Sequence, residues 1–346
     1  MKLETYTFDL ELKNTFTITH GSRNHQPTLI VKLTEDGFSG YGEAVGTSYY
    51  GKSVERMRES VLRVEEILID NLHRRPEEVW DVLQPLLEQD YFALCAIDIA
   101  MHDLHGKRKG LPLYKLWGYN LDHIPLTNYT IGLDSTEKMV EKMKAFPWPL
   151  YKIKLGTKED VKIVRELRRH SDSVFRVDAN GAWTAEEAVE NSRQLKDLNV
   201  EFIEQPLHRN DWEGMKKVKQ EAVLPVIADE SCITEADVKK CAEYFDGVNI
   251  KLTKCGGLTP GRRMVQEANK LGLKVMVGCM TESTIGISAI AHLLPVLDYV
   301  DMDGAMLLKN DIAEGVKVHD QKTYFPERNG TGAMLLPKYE SQKSLK

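Results

Sequence analysis

The sequence predicts an α/β fold, a (β/α) barrel joined to a separate α+β layer. Three observations carry this. From about residue 124 to 304, short β-rich runs alternate with amphipathic stretches at about 25-residue spacing, as in parallel strands linked by helices. The first 120 residues instead place strands in one block and helices in the next. A doubly wound open sheet usually opens with a glycine-rich turn, and none is present.

The elements follow in order. KLETYTFDLEL (2–12) and PTLIVKLTEDGFSGYGEA (27–44) alternate like strands, with a turn at Glu35-Asp36-Gly37. SVERMRESVLRVEEILI (53–69), PEEVWDVLQPLLEQ (76–89) and YFALCAIDIAMHDLHGKRKG (91–110) have helical periodicity. The barrel strands are expected at 125–133, 150–156, 174–180, 201–207, 225–231, 247–253, 274–280 and 299–304. Between them lie helical stretches such as 136–146, 159–170, 184–198 and 235–245. VHDQKTYFPERNGTG (318–332) holds a short strand and turn. The expected division is a capping domain at 1–120, a barrel at 121–317, and a tail at 318–346 that folds back onto the cap.

The chain has 346 residues, with 42% hydrophobic and 28% charged residues, and a formal net charge of −6. No long basic run is present, so composition gives no support for a nucleic-acid or membrane-surface partner. The five cysteines, Cys95, Cys232, Cys241, Cys255 and Cys279, form no C-x-x-C pair. Reduced thiols point to a cytoplasmic protein. Neither a signal core nor an apolar run of about 18 residues occurs. A homo-oligomer stays open.

Polar residues recur where the expected strands end, which in a barrel is the catalytic face. Asp178, Glu204 and Asp229 end three consecutive strands. Neighbouring strands lie about 4.8 Å apart, so these carboxylates can converge on one hard divalent cation such as Mg²⁺. Zinc is disfavoured because no His or Cys accompanies them. The competing reading makes each acid a helix cap. Lys154 and Lys251 end strands two and six, opposite one another in an eight-stranded ring, and Lys152 shares the face of Lys154. Buried lysines near a second cation and a metal have lowered pKa values and act as bases. Alternatively they are rim residues or partners of the carboxylates. Two opposed bases would take an α-proton from one side and return it from the other, inverting the carbon through a metal-stabilised ene-diolate.

YKIKLG (151–156), RVDANGAWT (176–184), FIEQPL (202–207), IADES (227–231), NIKLTKCGG (249–257) and GCMTES (278–283) stand in an order and spacing that resemble the enolase superfamily, in its muconate-lactonizing subgroup and there the dipeptide epimerases. Residues 96–118 are similar to the last helix of that subgroup's capping domain. The resemblance implies a modified TIM barrel, (β/α)7β, under an α+β cap. It implies one Mg²⁺ per subunit on Asp178, Glu204 and Asp229, with Lys154 and Lys251 as the acid/base pair and Lys254 behind them. It does not separate the epimerases from muconate cycloisomerases, o-succinylbenzoate synthases or N-succinylamino acid racemases.

Asp301 and Asp303, two residues apart on strand eight, do separate them. Strand eight lies across the ring from strand four. A substrate with its carboxylate at the metal and its other end at these acids must carry a cation there, and a dipeptide has the right length at up to ~3.6 Å per residue. In the resembled epimerases this motif binds the α-ammonium. Alternatively, the two acids pair with a neighbouring basic side chain. Specificity is expected from two cap loops, 19–26 and 46–52. In Ala-Glu epimerases an arginine stands five residues past a phenylalanine. From Phe16 that count gives Gly21, with Arg23 two further on. Tyr49 and Tyr50 offer aromatic surface instead. The expected activity is L-Ala-L-Xaa to L-Ala-D-Xaa epimerisation leaning to hydrophobic Xaa, with an L-Ala-D/L-Glu epimerase of murein peptide metabolism as the alternative. Thr130, Lys152 and Cys279 are expected to touch substrate, with Glu230 and Glu282 behind the site. Glu282 either pairs with Lys251 or caps the next helix.

Overall fold

The computed structural model describes residues 2–18 and 21–341; Thr19 and His20 of the first predicted specificity loop lie outside it. Three antiparallel strands, β1 (Lys2–Ile18), β2 (Gly21–Glu35) and β3 (Phe38–Val45), form the N-terminal sheet. Asp36 and Gly37 both take positive φ, 51° and 82°, the two-residue turn that matches the twist of a hairpin. The expected loop is therefore partly strand: Gly21 to Gln26 belong to β2. The β1–β2 register shifts between Glu11 and Phe16, and beyond the shift Phe16 faces Arg23.

Five helices follow: α1 (Val54–Arg63), α2 (Glu65–Asn71), α3 (Pro76–Leu83), α4 (Tyr91–Lys109) and α5 (Leu113–Leu116). α4 lies directly on the backbone of β3. A Cβ at Gly42 would stand 2.0 Å from the Ala96 carbonyl oxygen, and one at Gly40 2.2 Å from that of Ala100. Only glycine permits this approach. Ala96 and Ala100 of α4 pack into the core of the sheet, whereas Cys95 and Ile99 pack into that of the barrel. Asp90 caps the start of α4 by accepting from Ala93 N, and Gly110 ends it at φ 67°.

Eight parallel strands form the second sheet in sequence order: β4 (Tyr129–Ile131), β5 (Leu150–Lys154), β6 (Val174–Asp178), β7 (Val200–Glu204), β8 (Val226–Ala228), β9 (Gly247–Lys251), β10 (Lys274–Gly278) and β11 (Tyr299–Asp301). A parallel bridge between Thr127 and Val300, with Met302 N donating to Thr127 Oγ1 at 2.9 Å, joins the first strand to the last. The connecting helices are α6 (Thr136–Ala145), α7 (Asp160–Arg168), α8 (Ala185–Lys196), α9 (Trp212–Glu221), α10 (Asp237–Tyr244), α11 (Leu252–Cys255) with α12 (Leu258–Lys270), and α13 (Thr284–Ala291). After β11 comes only a 3₁₀ turn, Gly304–Leu307, which makes the barrel (β/α)7β. Several strands are shorter than their hydrophobic pattern suggests, because the terminal polar residues bond sideways into the site instead of continuing the ladder. Asp303 is the clearest case: it begins the 3₁₀ turn at φ −87°, ψ 3° rather than sharing the strand with Asp301.

Near the C-terminus, Ala313–Glu314 pairs with Met334–Leu335, and Glu340 accepts from Lys32 Nζ at 2.8 Å and from the Tyr41 hydroxyl. All five cysteines are free and buried. No helix of the described residues is long and apolar enough to cross a membrane.

Candidate active site

The strand registers set the site. Lys154, Asp178 and Glu204 occupy one row across β5, β6 and β7, and Lys251, Gly278 and Asp301 one row across β9, β10 and β11. Immediately after this row the chain turns sharply: Asn180 and Gln205 adopt φ 46° and 37°. Asparagine tolerates that region; for Gln205 it costs about 1–3 kcal/mol. The Gln205 side chain compensates. Its Oε1 accepts from Asp229 N and Ser231 N, both at 3.0 Å, and its Nε2 donates to Leu207 O and Ser231 Oγ. It thereby ties the β8 end to the β7 end.

Asp178, Glu204 and Asp229 converge with oxygens within 4.8 Å of one another, all fully buried. The lysines contact them directly. Lys154 Nζ meets Asp178 Oδ2 at 2.6 Å, Lys251 Nζ meets Asp229 Oδ2 at 2.7 Å, and Lys254 Nζ meets Asp229 Oδ1 at 2.7 Å. Lys152 is a strut between the two ends of the site: its Nζ is 2.7 Å from Glu204 Oε2, 3.2 Å from Asp178 Oδ2 and 2.8 Å from Asp301 Oδ2. Asn249 Nδ2 donates to Glu204 Oε1 at 2.8 Å.

This corrects two expectations. Asp301 is paired with a basic side chain after all, Lys152, and also accepts from Asn128 Nδ2 at 2.8 Å. Asp303 accepts from Thr130 N at 2.5 Å and forms no ion pair among the described residues. Lys152, Lys251 and Lys254, meanwhile, are raised rather than lowered. Burial pulls Lys251 down, but the Asp229 carboxylate outweighs it and holds the ammonium above its usual range; Lys152 is likewise held up by Asp301 and Glu204. Contacts of under 3 Å to carboxylates dominate the longer reach between lysines.

The carboxylates divide into two groups. Asp229 is held well below its usual range because Lys251 and Lys254 overcome its burial, and Asp178 and Asp301 are lowered in the same way by their lysines. Glu204 is pushed up to about 7 by burial and by Asp178, Asp303 to about 7 by burial and by Asp301, and Glu230 to about 7 by burial and by Asp229. The buried negative charge thus exceeds what the lysines neutralise, at both ends of the pocket. Near the carboxylate triad, Glu230 Oε2 and Asn180 Oδ1 are buried oxygens without a hydrogen-bond partner. An all-oxygen donor set in excess negative charge fits a hard divalent cation.

The pocket above these groups encloses about 690 Å³ including its mouth. Thr130, Lys152, Lys154, Lys251, Cys279, Asp301 and Asp303 line it, as expected. Glu230, expected behind the site, lines it too. Glu282 does neither thing foreseen for it. It accepts from Thr253 Oγ1 at 3.1 Å and Met280 N at 3.0 Å, Ser283 caps α13, and burial with nearby Glu43 pushes Glu282 up to about 8. Cys279 donates its N–H to Asp301 O at 2.7 Å, and burial pushes its thiol well up, away from a nucleophile.

On the cap side, Tyr49 and Tyr50 line the pocket edge to face at 4.8 Å between centroids, with Tyr50 backed by Phe92. Gly21 pairs with Ile18 and is exposed, outside the lining. Arg23 is inside it. Its guanidinium lies 5.4 Å over the Phe16 ring and donates from Nη2 to Thr281 Oγ1 at 2.9 Å, while its buried Nε has no hydrogen-bond partner. Of the two positions the count offered, Arg23 and not Gly21 lines the pocket, because the register shift brings position 23 opposite Phe16. Asn128 and Asn249 were not picked out from the sequence. Asn128 and Asn249 lie two residues before Thr130 and Lys251, and the side-chain period of a strand could have found them.

A barrel whose strand ends bring together three acids and two flanking lysines, under a cap that closes the pocket, defines a class. Residues 2–118 match the mandelate racemase / muconate lactonizing enzyme N-terminal domain and residues 135–339 the enolase C-terminal domain-like family. The chain belongs to this family of the enolase superfamily. Among its relatives, an L-Ala-D/L-amino acid epimerase of Flavobacterium johnsoniae is 56% identical over 97% of this chain and 100% of its own length. The structure is similar to a substrate-liganded L-Ala-D/L-Glu epimerase of Bacillus subtilis, with a TM-score of 0.90, 29% identity, and 96% and 98% of the two chains covered. It is also similar to a dipeptide epimerase of Enterococcus faecalis complexed with Mg and L-Leu-L-Tyr, with a TM-score of 0.89, 32% identity, and 96% and 98% covered.

Proposed function

We propose that this chain is a dipeptide epimerase that inverts the α-carbon of the C-terminal residue, converting L-Ala-L-Xaa to L-Ala-D-Xaa. One observation carries the reading. One pocket is lined by Lys154 and Lys251, each in contact with the triad of buried carboxylates beneath it, and also by Asp303, a buried acid without an ion-pair partner among the described residues.

Asp178, Glu204 and Asp229 would hold one Mg²⁺, which when bound draws charge from a substrate carboxylate and so makes the adjacent α-proton removable. Lys154 Nζ and Lys251 Nζ take and return that proton from opposite faces of the α-carbon. Each ammonium now sits on a carboxylate of the triad, so sharing that negative charge with a cation frees the lysine to exchange its proton. Lys152 remains charged and bridges Glu204, Asp178 and Asp301, and Lys254 remains charged against Asp229. Asp303, positioned by Thr130 N, receives the substrate ammonium, and the 2.8 Å Lys152 contact fixes Asp301 beside it. Succinylated and non-nitrogenous acids have nothing to offer this end.

The second-residue side chain meets Arg23 together with Tyr49 and Tyr50, a mixed wall that suits polar and apolar groups alike. Arg23 also favours a second reading, an epimerase with a preference for L-Ala-L-Glu, because its guanidinium suits a carboxylate.

A pooled dipeptide library incubated with the protein and Mg²⁺ in D₂O tests the proposal. Active members gain one deuterium at the C-terminal α-carbon, and Lys154→Ala and Lys251→Ala each abolish inversion, with exchange on one face surviving at most. Full epimerisation by either variant refutes the two-base scheme.

A further inference from the structure

Beside Asp303 the pocket wall is formed by Phe16, Thr130 and Leu307, and these three residues also bound a second cavity of about 390 Å³ including its open side. That cavity lies behind the wall and runs past Lys13 and Tyr129 toward a groove along α6. Thr130 is buried, while Phe16 and Leu307 are half-buried. The backbone on both sides of Leu307 is clamped. Leu308 bridges Leu12, Lys309 N donates to Glu11 O at 2.8 Å, and Lys13 Nζ donates to Met306 O at 2.8 Å. At the other end of the turn, a Cβ on Gly304 would stand 2.7 Å from Met280 O and Glu282 N, so the turn sits flush against the β10–α13 loop. Leu307 is thus held as a partition between the two cavities.

We infer that Leu307, together with Phe16, sets the size limit on the side chain of the substrate's first residue. The inference rests on the dipeptide reading. With the ammonium on Asp303 and the carboxylate at the far end, the first α-carbon stands beside Asp303, and its side chain faces the wall that Leu307 and Phe16 make. A methyl group fits against that wall. A leucine or phenylalanine side chain collides with it, and the second cavity lies immediately behind.

The test compares kcat/KM for L-Ala-L-Phe and L-Leu-L-Phe, which differ only in the first residue, across wild type, Leu307→Val and Leu307→Ala. The wild type should prefer the alanine substrate. Leu307→Ala should move the ratio toward L-Leu-L-Phe by about tenfold or more, the usual scale for relieving a hydrophobic steric wall, with Leu307→Val in between. The ratio of L-Ala-L-Glu to L-Ala-L-Phe should stay fixed, since Arg23 and the tyrosines are untouched. A variant that turns over L-Ala-L-Phe with the first-residue ratio unchanged overturns the inference, as does a shift confined to the second residue. A wild type that epimerises no dipeptide overturns the dipeptide reading itself.

Discussion

Replacing Asp303 by asparagine removes one charge and almost no volume. Thr130 N, which donates to Oδ2 at 2.5 Å, can donate to the amide oxygen instead, so the 3₁₀ turn keeps its anchor. The neighbouring charge is already committed: Asp301 has Lys152 and Asn128, each at 2.8 Å. Of the two aspartates only Asp303 is pushed up, to about 7, by burial and by Asp301, and a substrate ammonium would relieve that. A hydrogen bond to a charged group contributes about 1.5–3 kcal/mol, so Asp303→Asn should cut kcat/KM for a free dipeptide by roughly 10- to 150-fold. The assay sets L-Ala-L-Phe against its N-acetyl derivative, which has no ammonium. The wild type should discriminate strongly, and Asp303→Asn should lose most of that discrimination. If the variant keeps wild-type discrimination, the ammonium does not bind there and the dipeptide argument fails at its central point.

Two further predictions concern the scaffold. Glu282 is pushed up to about 8 in the fold from the ordinary carboxylate value of 4.5, so the native state holds a proton that the unfolded chain releases between those values, and its contribution to stability falls as pH rises through that window. Glu282→Gln, neutral at every pH, should therefore gain Tm over the wild type by several degrees more at pH 8 than at pH 5; an equal difference at both would show that Glu282 is ionised in the fold. Gly42→Ala places a methyl group 2.0 Å from a backbone oxygen of α4, where nothing flexible can yield. It should destabilise by about 3 kcal/mol or more, and an unchanged urea midpoint would refute the packing described for β3 and α4.

What was legible in the sequence is what period and position encode. Asp178, Glu204 and Lys251 stand where a strand ends, and a barrel directs such positions into one mouth, so their convergence follows from rules local to each βα unit. Four things were not legible, for different reasons. Lys152 bonds Asp301 across 149 residues of chain, and no local pattern states that the first and last parts of a ring meet. The choice between Gly21 and Arg23 was open because the irregularity between Glu11 and Phe16 changes which residues face each other, and a linear count cannot register it. The lysine charge states depend on contacts of under 3 Å, a scale that spacing cannot supply. Leu307 looked like one more apolar residue after strand eight; its place between two cavities needs both the hairpin and the barrel.

α4 belongs to two cores at once. One side of it, through Ala96 and Ala100, completes the sheet that carries Arg23, and the other, through Cys95 and Ile99, completes the barrel that carries the lysines. Neither half has a finished interior without that helix, so the two should gain and lose structure together in one cooperative step. Thermodynamically the part that selects a substrate and the part that transforms it are then a single unit, and a change that loosens one is felt as lost stability by the other.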